Sequence, residues 1–390
     1  MTGRALIIAD DLTGAAEVAA FVGTFREPAR VRWPAPSTTW DAAAARLVVD
    51  TESRNLAPDA AYERLASIAR RLPSGRRSGF VFKKVDSTLR GPIRAELTAW
   101  TDATGAGPVI AAPAYPQMGR TTHEGVQYLH GVPVADGPAG DDPLAPIRDS
   151  TVWSNLPAGD YVVVPTPGQD DPDELAERLR RHREEGKHVV VDAERDADLH
   201  VLASALHRIP PGWVVGTGGL ARHLWAQGAP VTATALQGPV AVIIGSHHPS
   251  ARAQLARLEA AHPCVRMADR RHAGATWPHD AVLVLTTPAD RIDPATAARA
   301  LEDQLKEVIA IGRPHAVVMT GGATALRVLM HVGADALDVV GELLPGVPIG
   351  RIAGGFWADT VLATKAGGFG APGLLAEIIG ALRSDAPHPA

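Results

Sequence analysis

The sequence predicts an α/β protein made of two α/β domains, with mainly parallel sheets and an interdomain cleft. Short apolar runs typical of buried strands alternate with longer runs typical of helices. The length of 390 residues exceeds what one ordinary core holds. The alternation is interrupted at residues 227–239 by a stretch rich in Gly, Pro and Thr. We therefore predict one domain over residues 1–230 and a second over residues 239–390.

The first domain is predicted to alternate strands and helices from its beginning. Its predicted strands are Ala5–Ala9, Arg46–Asp50, Phe80–Lys84, Pro108–Ala112, Tyr161–Val164, His188–Asp192 and Trp213–Gly216. Its predicted helices are Ala15–Gly23, Ala60–Arg71, Ile93–Trp100, Asp171–Arg183 and Leu199–His207. The stretch 113–146 is rich in Gly, Pro and Asp. It is predicted to be a long loop, and loops of that length are uncommon and often functional.

The second domain repeats the alternation after the interruption. Its predicted strands are Val240–Ile244, Ala281–Leu285, Ala316–Thr320 and Pro348–Ile352. Its predicted helices are Ala295–Ile309, a helix after the glycine pair at 321–322, and Gly373–Leu382.

Charge and cysteine content exclude several classes of protein. The net charge of −5 and the pI near 6.3 give no long-range attraction to nucleic acid or to anionic lipid. The single cysteine, Cys264, excludes a disulfide framework within the chain. Neither a signal-peptide pattern nor an apolar run of about 18–20 residues is present. We expect a cytoplasmic protein with no nucleic-acid or membrane partner.

The first candidate site is the pair Asp10 and Asp11, which follows the first predicted strand. In open α/β sheets, ligands bind outside the carboxyl ends of strands. Adjacent residues point in different directions, so we expect one carboxylate to take a proton or bind a substrate hydroxyl. The other is expected to cap the next helix. That both only cap the turn is an equal alternative.

The second candidate site follows the second predicted strand. Arg54 offers a planar fork of donors that suits a carboxylate, and Ser53 adds a hydroxyl. A surface arginine at the start of a loop is the alternative.

The third candidate site lies at the end of the third predicted strand. Lys83 and Lys84 must face opposite sides of a strand, so one ammonium faces inward or into a cleft and needs a partner. An anionic substrate is one such partner. Asp86 is a candidate general base and Arg90 a candidate phosphate contact. The alternative is an internal Lys–Asp–Arg cluster of salt bridges. In the long loop, Arg120 is a further candidate substrate contact, with an ordinary solvated loop as its alternative.

The second domain carries glycine-rich turns that suit a nucleotide. Glycine lets the backbone approach a phosphate, and a following helix presents free N–H groups and a positive dipole end. A single turn of this kind more often has only a structural role. Three such turns in one domain, at residues 245–246, 321–324 and 365–370, favour a nucleotide-binding site. No P-loop, H-E-x-x-H or CxxC motif is present, and no protein metal site is predicted. The candidate nucleotide-binding residues are Ser246, Gly321, Gly322, Ala323, Thr324, Lys365, Gly367, Gly368 and Gly370.

Together these strings resemble the four-carbon acid sugar kinase family. The matching strings are IADDLTGA, DTESR, FKKVDSTLRG, APAYPQMGRTT with GVPV after it, VVVDAERDADL, GSHHPSARAQ, TGGATA and KAGGFG, in the family's order and across nearly the whole chain. The resemblance implies that the first domain binds the sugar acid and the second binds ATP with Mg²⁺. It also implies phosphorylation of the terminal hydroxyl of threonate, erythronate or 3-oxo-tetronate, and it leaves a homodimer open.

The resemblance also assigns roles to residues. Arg54 and Lys83 or Lys84 would hold the substrate carboxylate. Asp10, Asp11 and Asp86 would order its hydroxyls, and one of them would take the proton, with Asp86 slightly favoured. The candidate catalytic residues are Asp86, Asp11 and Lys84.

Four positions depart from the family pattern. Ala323 replaces an acidic residue after the glycine pair, His247 and His248 stand in the GS-C-S string, and Glu17 stands where an aspartate is common. Two alternatives therefore remain: a kinase for another small hydroxy acid, and a sugar-acid sensor with an altered nucleotide site.

Overall fold

The structure is a computed structural model. It describes residues 5–35, 38, 40, 44–77, 79–142, 145–165, 168, 171–210, 212–225, 238–245, 248–269, 277, 281–287 and 293–383. Most of the predicted interruption at 227–239 lies outside these residues.

The strands are numbered in chain order over the described residues. They are β1 Ala5–Ala9, β2 Ala29–Arg32, β3 Arg46–Asp50, β4 Val81–Lys84, β5 Ile110–Ala112, β6 Arg120–His123, β7 Val126–Leu129, β8 Val132–Pro133, β9 Tyr161–Val164, β10 His188–Val191, β11 Trp213–Gly216, β12 Val240–Ile244, β13 Cys264–Arg266, β14 Val282–Thr286, β15 Ala316–Thr320, β16 Ala336–Leu344, β17 Val347–Ala353 and β18 Val361–Lys365.

The helices are numbered in the same way. They are α1 Leu12–Val22, α2 Pro58–Arg71, α3 Ser74–Arg77, α4 Ile93–Thr104, α5 Pro172–Glu184, α6 Asp196–Leu206, α7 Gly218–Trp225, α8 Pro249–Ala261, α9 Pro294–Ile311, α10 Gly322–His331 and α11 Leu374–Arg383. None of the described helices is both long enough and apolar enough to cross a membrane.

The chain divides into two compact units. Unit 1 comprises residues 1–22 and 32–227, and unit 2 comprises residues 23–31 and 228–390. The predicted first domain ran unbroken from residue 1 to residue 230. The segment 23–31 instead belongs to unit 2, because it carries most of β2, and β2 pairs with β16.

Unit 1 contains a seven-stranded parallel sheet in the order β3-β1-β4-β11-β5-β10-β9. Its core joins apolar side chains from the sheet and its helices, including Leu6, Leu65, Leu97 and the stacked rings of Trp100 and Trp213. The predicted long loop is partly ordered as a separate antiparallel sheet, β6-β7-β8. Charged side chains that follow β1, β3 and β4 therefore meet at one edge of a rigid sheet.

Unit 2 contains a parallel part in the order β13-β14-β12-β15-β18, which continues antiparallel through β17, β16 and β2. Its core includes Val242, Val318, Leu375 and Ile378. The sequence predicted β12, β14, β15 and part of β17. It did not predict β16. Buried and partly exposed residues alternate along this strand, so one face of the strand points into the core. The predicted α/β class, with mainly parallel sheets, is confirmed.

Candidate active site

The three charged segments of unit 1 meet at the carboxyl edge of neighbouring strands. Strand β1 lies between β3 and β4, and Ala9 is in register with both Asp50 and Lys84. The chain places β3 on one side of β1 and β4 on the other, so the strand order reverses at β1. Such a reversal opens a crevice at the strand ends where ligands bind in α/β sheets.

Arg54 forms the centre of this edge. Its Nε and Nη2 donate to the two oxygens of Asp10, both at 2.8 Å. Its Nη1 and Nη2 donate to the two oxygens of Asp11 at 2.7 and 2.8 Å. Asp86 Oδ1 lies 4.0 Å from Nη1. The predicted preference of Arg54 for carboxylates is therefore satisfied by the protein's own side chains, and little of its donor capacity is left for a substrate carboxylate.

The same contacts set the charge state of the buried carboxyls. Burial alone would raise the pKa of Asp10, but Arg54, with smaller contributions from Lys83 and Lys84, holds that pKa below its usual value. Burial opposes the charge of Arg54, yet the three carboxylates raise its pKa well above its usual value. Asp10 and Arg54 are therefore both charged at neutral pH.

Asp86 is enclosed by donors. Its Oδ2 accepts from Thr88 N at 3.1 Å, from the Thr88 hydroxyl and from Arg90 Nε at 3.0 Å, and its Oδ1 accepts from Arg90 Nη2 at 2.9 Å. Burial would raise the pKa of Asp86, but Arg90 and Arg54 hold it well below its usual range. A carboxylate with such a low pKa is a weak proton acceptor. Arg90 also pairs with Asp142 of the long loop at 2.9 Å.

Lys84 faces this cluster from the end of β4. Its Nζ donates to Val85 O at 3.1 Å and lies 3.5 Å from Glu17 Oε2. Gly14 leaves room for it: an added Cβ there would lie 2.9 Å from Lys84 Nζ and 2.8 Å from Asp11 Oδ1. Lys84 and Asp11 therefore face the same space above the first turn of α1.

Lys83 faces the opposite side of β4, as the two-residue period requires. It is fully buried, and its Nζ lies 2.7 Å from Glu96 Oε1 on α4. Ser53 is buried as well and donates its hydroxyl to the same oxygen at 2.7 Å. Both were predicted to contact substrate. Both are instead committed to Glu96 inside the unit, because the inner face of this strand is covered by α4.

Arg120 begins β6 and lies near Asp86 and Arg90. Burial lowers its pKa, and no ion pair to a carboxylate is found for it in the described part of the chain. Its Nε is buried and has no hydrogen-bond partner among the described residues. Arg120 is therefore a cation near the cluster with donor capacity left over.

The glycine turns of unit 2 also lie at the ends of neighbouring parallel strands. Ile244 is in register with Thr320, and Thr320 with Lys365. Gly321 has a φ of +88° and open space where a Cβ would stand, and α10 begins after it with no side-chain cap. The free N–H groups of that helix end suit a phosphate. Ala323 is exposed beside Thr324 on this first turn.

Lys365 ends β18 and is almost fully buried. Its Nζ donates to Ala366 O at 2.9 Å, and burial lowers its pKa to about 8. The Thr320 hydroxyl is also buried and has no hydrogen-bond partner among the described residues. The loop after Lys365, which carries Gly367, Gly368 and Gly370, is held by Gln254, whose Nε2 donates to three of its carbonyls. These groups fit an anion such as a phosphate chain.

Several residues of this site escaped the sequence prediction, while one predicted position, Ser246, lies outside the described residues. Glu17, Thr88, Glu96, Asp142 and Gln254 were not predicted to bind ligand or to support the site. Glu96 carried a signal, since a lone acid stands within the apolar stripe of Ile93, Leu97 and Trp100. In the described part of the chain, no group of three or more His, Cys, Asp or Glu is placed to hold a metal ion.

Comparison with known proteins identifies the family. Residues 5–224 match a family described as a sugar-binding N-terminal domain, and residues 279–375 match one described as a nucleotide-binding C-terminal domain. The D-threonate kinase of Bordetella bronchiseptica is 33% identical and is covered over 97% of both chains. The chain belongs to the four-carbon acid sugar kinase family. The resemblance predicted from the sequence is thereby confirmed.

Other members of the four-carbon acid sugar kinase family are named for different substrate acids. The D-erythronate kinase of Heliobacterium modesticaldum is 25% identical, over 93% of this chain and 93% of its own. The 3-oxo-tetronate kinase of Burkholderia multivorans is 28% identical, over 93% of this chain and 94% of its own.

Solved structures agree with this fold. A Salmonella typhimurium protein has a TM-score of 0.77 at 21% identity, over 95% of this chain and 98% of its own. A Bordetella bronchiseptica protein described as a domain-swapped dimer with bound citrate is 33% identical over 97% of this chain and 98% of its own, with a TM-score of 0.50.

Proposed function

We propose that this protein transfers the γ-phosphoryl group of ATP to the terminal hydroxyl of a four-carbon sugar acid of the threonate, erythronate or 3-oxo-tetronate type. The observation that carries the proposal is the charge cluster at the ends of β1, β3 and β4, in a chain similar over its full length to D-threonate kinase. The hydroxyl oxygen forms the new bond to phosphorus and its proton is released to solvent, the bond from phosphorus to the β–γ bridging oxygen breaks, and ADP leaves.

Asp11 is our candidate for the carboxylate that orients the reacting hydroxyl. Its side chain is 21% exposed, against 1% for Asp10 and 12% for Asp86. Phosphoryl transfer depends more on positioning and charge neutralisation than on a strong base. A carboxylate that is held by Arg54 can receive the hydroxyl's hydrogen bond and guide it in line. Asp10 and Asp86 then serve to hold Arg54.

Lys84 and Arg120 are our candidates for the substrate's carboxylate and the developing charge. Arg54, the sequence's candidate for the carboxylate, is occupied by three aspartates. Lys84 and Arg120 keep donor capacity beside the cluster. A carboxylate of the acid would complete the charge balance of this edge.

ATP is assigned to unit 2. Lys365 and the α10 N-terminus at residues 321–324 would receive its phosphates, with the loop 367–370 as a further wall. Ser246 remains a predicted contact. Mg²⁺ is proposed to accompany the nucleotide, because kinases bind it largely through substrate phosphates.

We also propose an oligomeric state and a cellular location for this protein. A homodimer is proposed because a protein 33% identical is described as a domain-swapped dimer. The use of ATP favours the cytoplasm as the place of reaction.

The proposal is tested by ADP release from ATP and Mg²⁺ with D-threonate, D-erythronate and 3-oxo-tetronate. We expect turnover with at least one of them, and a loss of about 100-fold in the Lys84→Met variant. The matched control is Lys187→Met, which changes an exposed lysine paired with Glu185 and should keep full activity. Folded protein that binds ATP but releases no ADP with any of these acids would contradict the proposal.

A further inference from the structure

A buried charge network lies directly behind the site. Glu96 Oε1 accepts from Lys83 Nζ at 2.7 Å and from the Ser53 hydroxyl at 2.7 Å, and lies 3.3 Å from the Thr51 hydroxyl. Neither member of the ion pair is exposed by more than 1%. Neither can touch a ligand directly without rearrangement, so any role in the reaction must act through other residues.

The network reaches the site through the loop after β3. Ser53 N and Arg54 N both donate to Asp10 O, at 3.0 and 3.2 Å. Thr51 N and its hydroxyl both donate to Ala9 O, at 2.8 Å each. The loop is therefore held at Ser53 on one side by Glu96 and on the other by the backbone that carries Asp10. Arg54 is the next residue, and its side chain binds Asp10 and Asp11.

The loop needs such support, because its conformation is strained. Glu52 has a φ of +48°, in the left-handed region that side chains other than glycine rarely adopt. The remaining oxygen of the acid, Glu96 Oε2, is buried with no hydrogen-bond partner among the described residues. A buried, half-satisfied ion pair is an unfavourable way to gain stability, and apolar residues of similar volume often serve better. Its presence behind the strained loop calls for a reason other than stability.

We propose that Glu96, with Lys83 as its counter-ion, is a positioning residue that fixes Arg54 through the Ser53 hydroxyl. Arg54 in turn sets the separation and direction of Asp10 and Asp11, so the network determines the geometry of the sugar-acid site. This inference rests on the proposed function for its kinetic consequences, but not for its structural ones.

The key variant is Ser53→Ala, which removes the hydrogen bond from Ser53 to Glu96 and leaves the Lys83–Glu96 pair intact. Glu96→Gln is the second variant, because it keeps an acceptor for Ser53 while removing the charge. The matched control is Asp198→Asn, which alters another fully buried carboxylate of unit 1 whose bonds go to Glu194 N and Arg195. A general loss of packing would affect the control as well.

The first measurement is hydrogen–deuterium exchange of the segment 50–56. We expect faster exchange there in Ser53→Ala and a smaller increase in Glu96→Gln, because a neutral amide is a weaker acceptor for Ser53 than a carboxylate. In the Asp198→Asn control we expect wild-type exchange. Unchanged protection of this segment in Ser53→Ala would overturn the proposal. This readout needs no turnover, so it decides the matter even if the protein fails to phosphorylate any sugar acid.

The second measurement is a double-mutant cycle on the KM for D-threonate. We expect Ser53→Ala to raise that KM about tenfold, while the KM for ATP stays within about twofold. In the Arg54→Lys background, Ser53→Ala should add no further increase, because the residue through which it acts is already changed. Additive effects of the two substitutions would show that Ser53 does not act through Arg54, and would overturn the proposal.

Discussion

The two units carry positive charge at their strand ends in opposite ways. In unit 1, Arg54 is surrounded by three carboxylates, and Lys84 has Glu17 beside it. In unit 2, Lys365 is almost fully buried, its Nζ donates to a backbone carbonyl, and no ion pair to a carboxylate is found for it in the described part of the chain.

This difference separates two kinds of site. The positive charge of a cation surrounded by protein carboxylates is already neutralised. Such a cation fixes the positions of those carboxylates more than it attracts a ligand. A cation buried without a counter-charge is unfavourable until an anion arrives, so it contributes to binding. The site of unit 1 is therefore preorganised by ion pairs among its own side chains. The site of unit 2 is suited to bind an anionic ligand.

The largest expected effect concerns Arg54. Arg54→Ala leaves Asp10 and Asp11 without their cation, and breaking a buried ion pair in this way destabilises a protein by about 3–5 kcal/mol. We expect that loss in the free energy of unfolding, measured by denaturant titration, together with loss of turnover.

The control is Arg180→Ala on α5, which removes exposed pairs to Glu177 and Glu184. There we expect a change below about 1 kcal/mol. If both variants lost equally little stability, the idea that Arg54 is an internal cation of the fold would be wrong.

The second prediction concerns Lys365. Lys365→Met removes a desolvated amine and keeps the volume, so we expect thermal stability to stay unchanged or to rise. Affinity for ATP should fall about 10- to 100-fold, the worth of one charged hydrogen bond. Calorimetry with ATP and Mg²⁺ measures the affinity, and Lys306→Met, at an exposed lysine of α9, is the control. A variant that binds ATP as tightly as the wild type would remove Lys365 from the nucleotide site.

The smallest expected effect is one of pH. Burial lowers the pKa of Lys365 to about 8 from 10.5. Below pH 8 the amine is charged, so the affinity for ATP should be full there and fall about tenfold by one unit above the pKa. Stability should move the other way. Between pH 8 and 10.5 the unfolded chain holds the proton that the folded chain has lost, so this lysine's contribution to stability rises with pH.

Binding titrations and denaturant melts from pH 7 to 9.5 test both directions. In Lys365→Met, the affinity profile should be flat over the same range. A profile that falls equally in the variant would assign the titration to another group.

Much of the fold and part of the site could be predicted from the sequence, because charged and polar residues directly follow the apolar runs that form the parallel strands. Asp10, Arg54, Lys84 and Asp86 were predicted to gather, and the structure brings them together. A two-residue period showed that Lys83 and Lys84 face opposite sides. It could not show which side α4 covers, because that depends on a contact with Glu96, a residue 13 positions away.

The remaining differences have the same physical origin. The donor geometry of Arg54 predicted a carboxylate partner correctly. A sequence does not, however, distinguish a substrate's carboxylate from those of Asp10 and Asp11, which are 44 and 43 residues away. The strand β16 was missed, since its pairing with β17 and β2 is antiparallel in a chain whose other pattern is βαβ. The partner of Arg54 and the pairing of β16 both depend on residues far away in the sequence, so a local sequence pattern could not predict them.

The segment 23–31 has a consequence for how the protein is made. Strand β2 is held by β16, with Arg30 bound through both its Nε and Nη2 to the carboxylate of Asp338, 308 residues later. At ribosomal speeds of about 5–20 residues per second, that partner is synthesised on the order of 15–60 s after β2. Until then β2 has an unsatisfied edge in the nascent chain. Unit 2 therefore completes its sheet only late in translation, and a gene fragment that begins at residue 228 would encode that sheet without one of its strands.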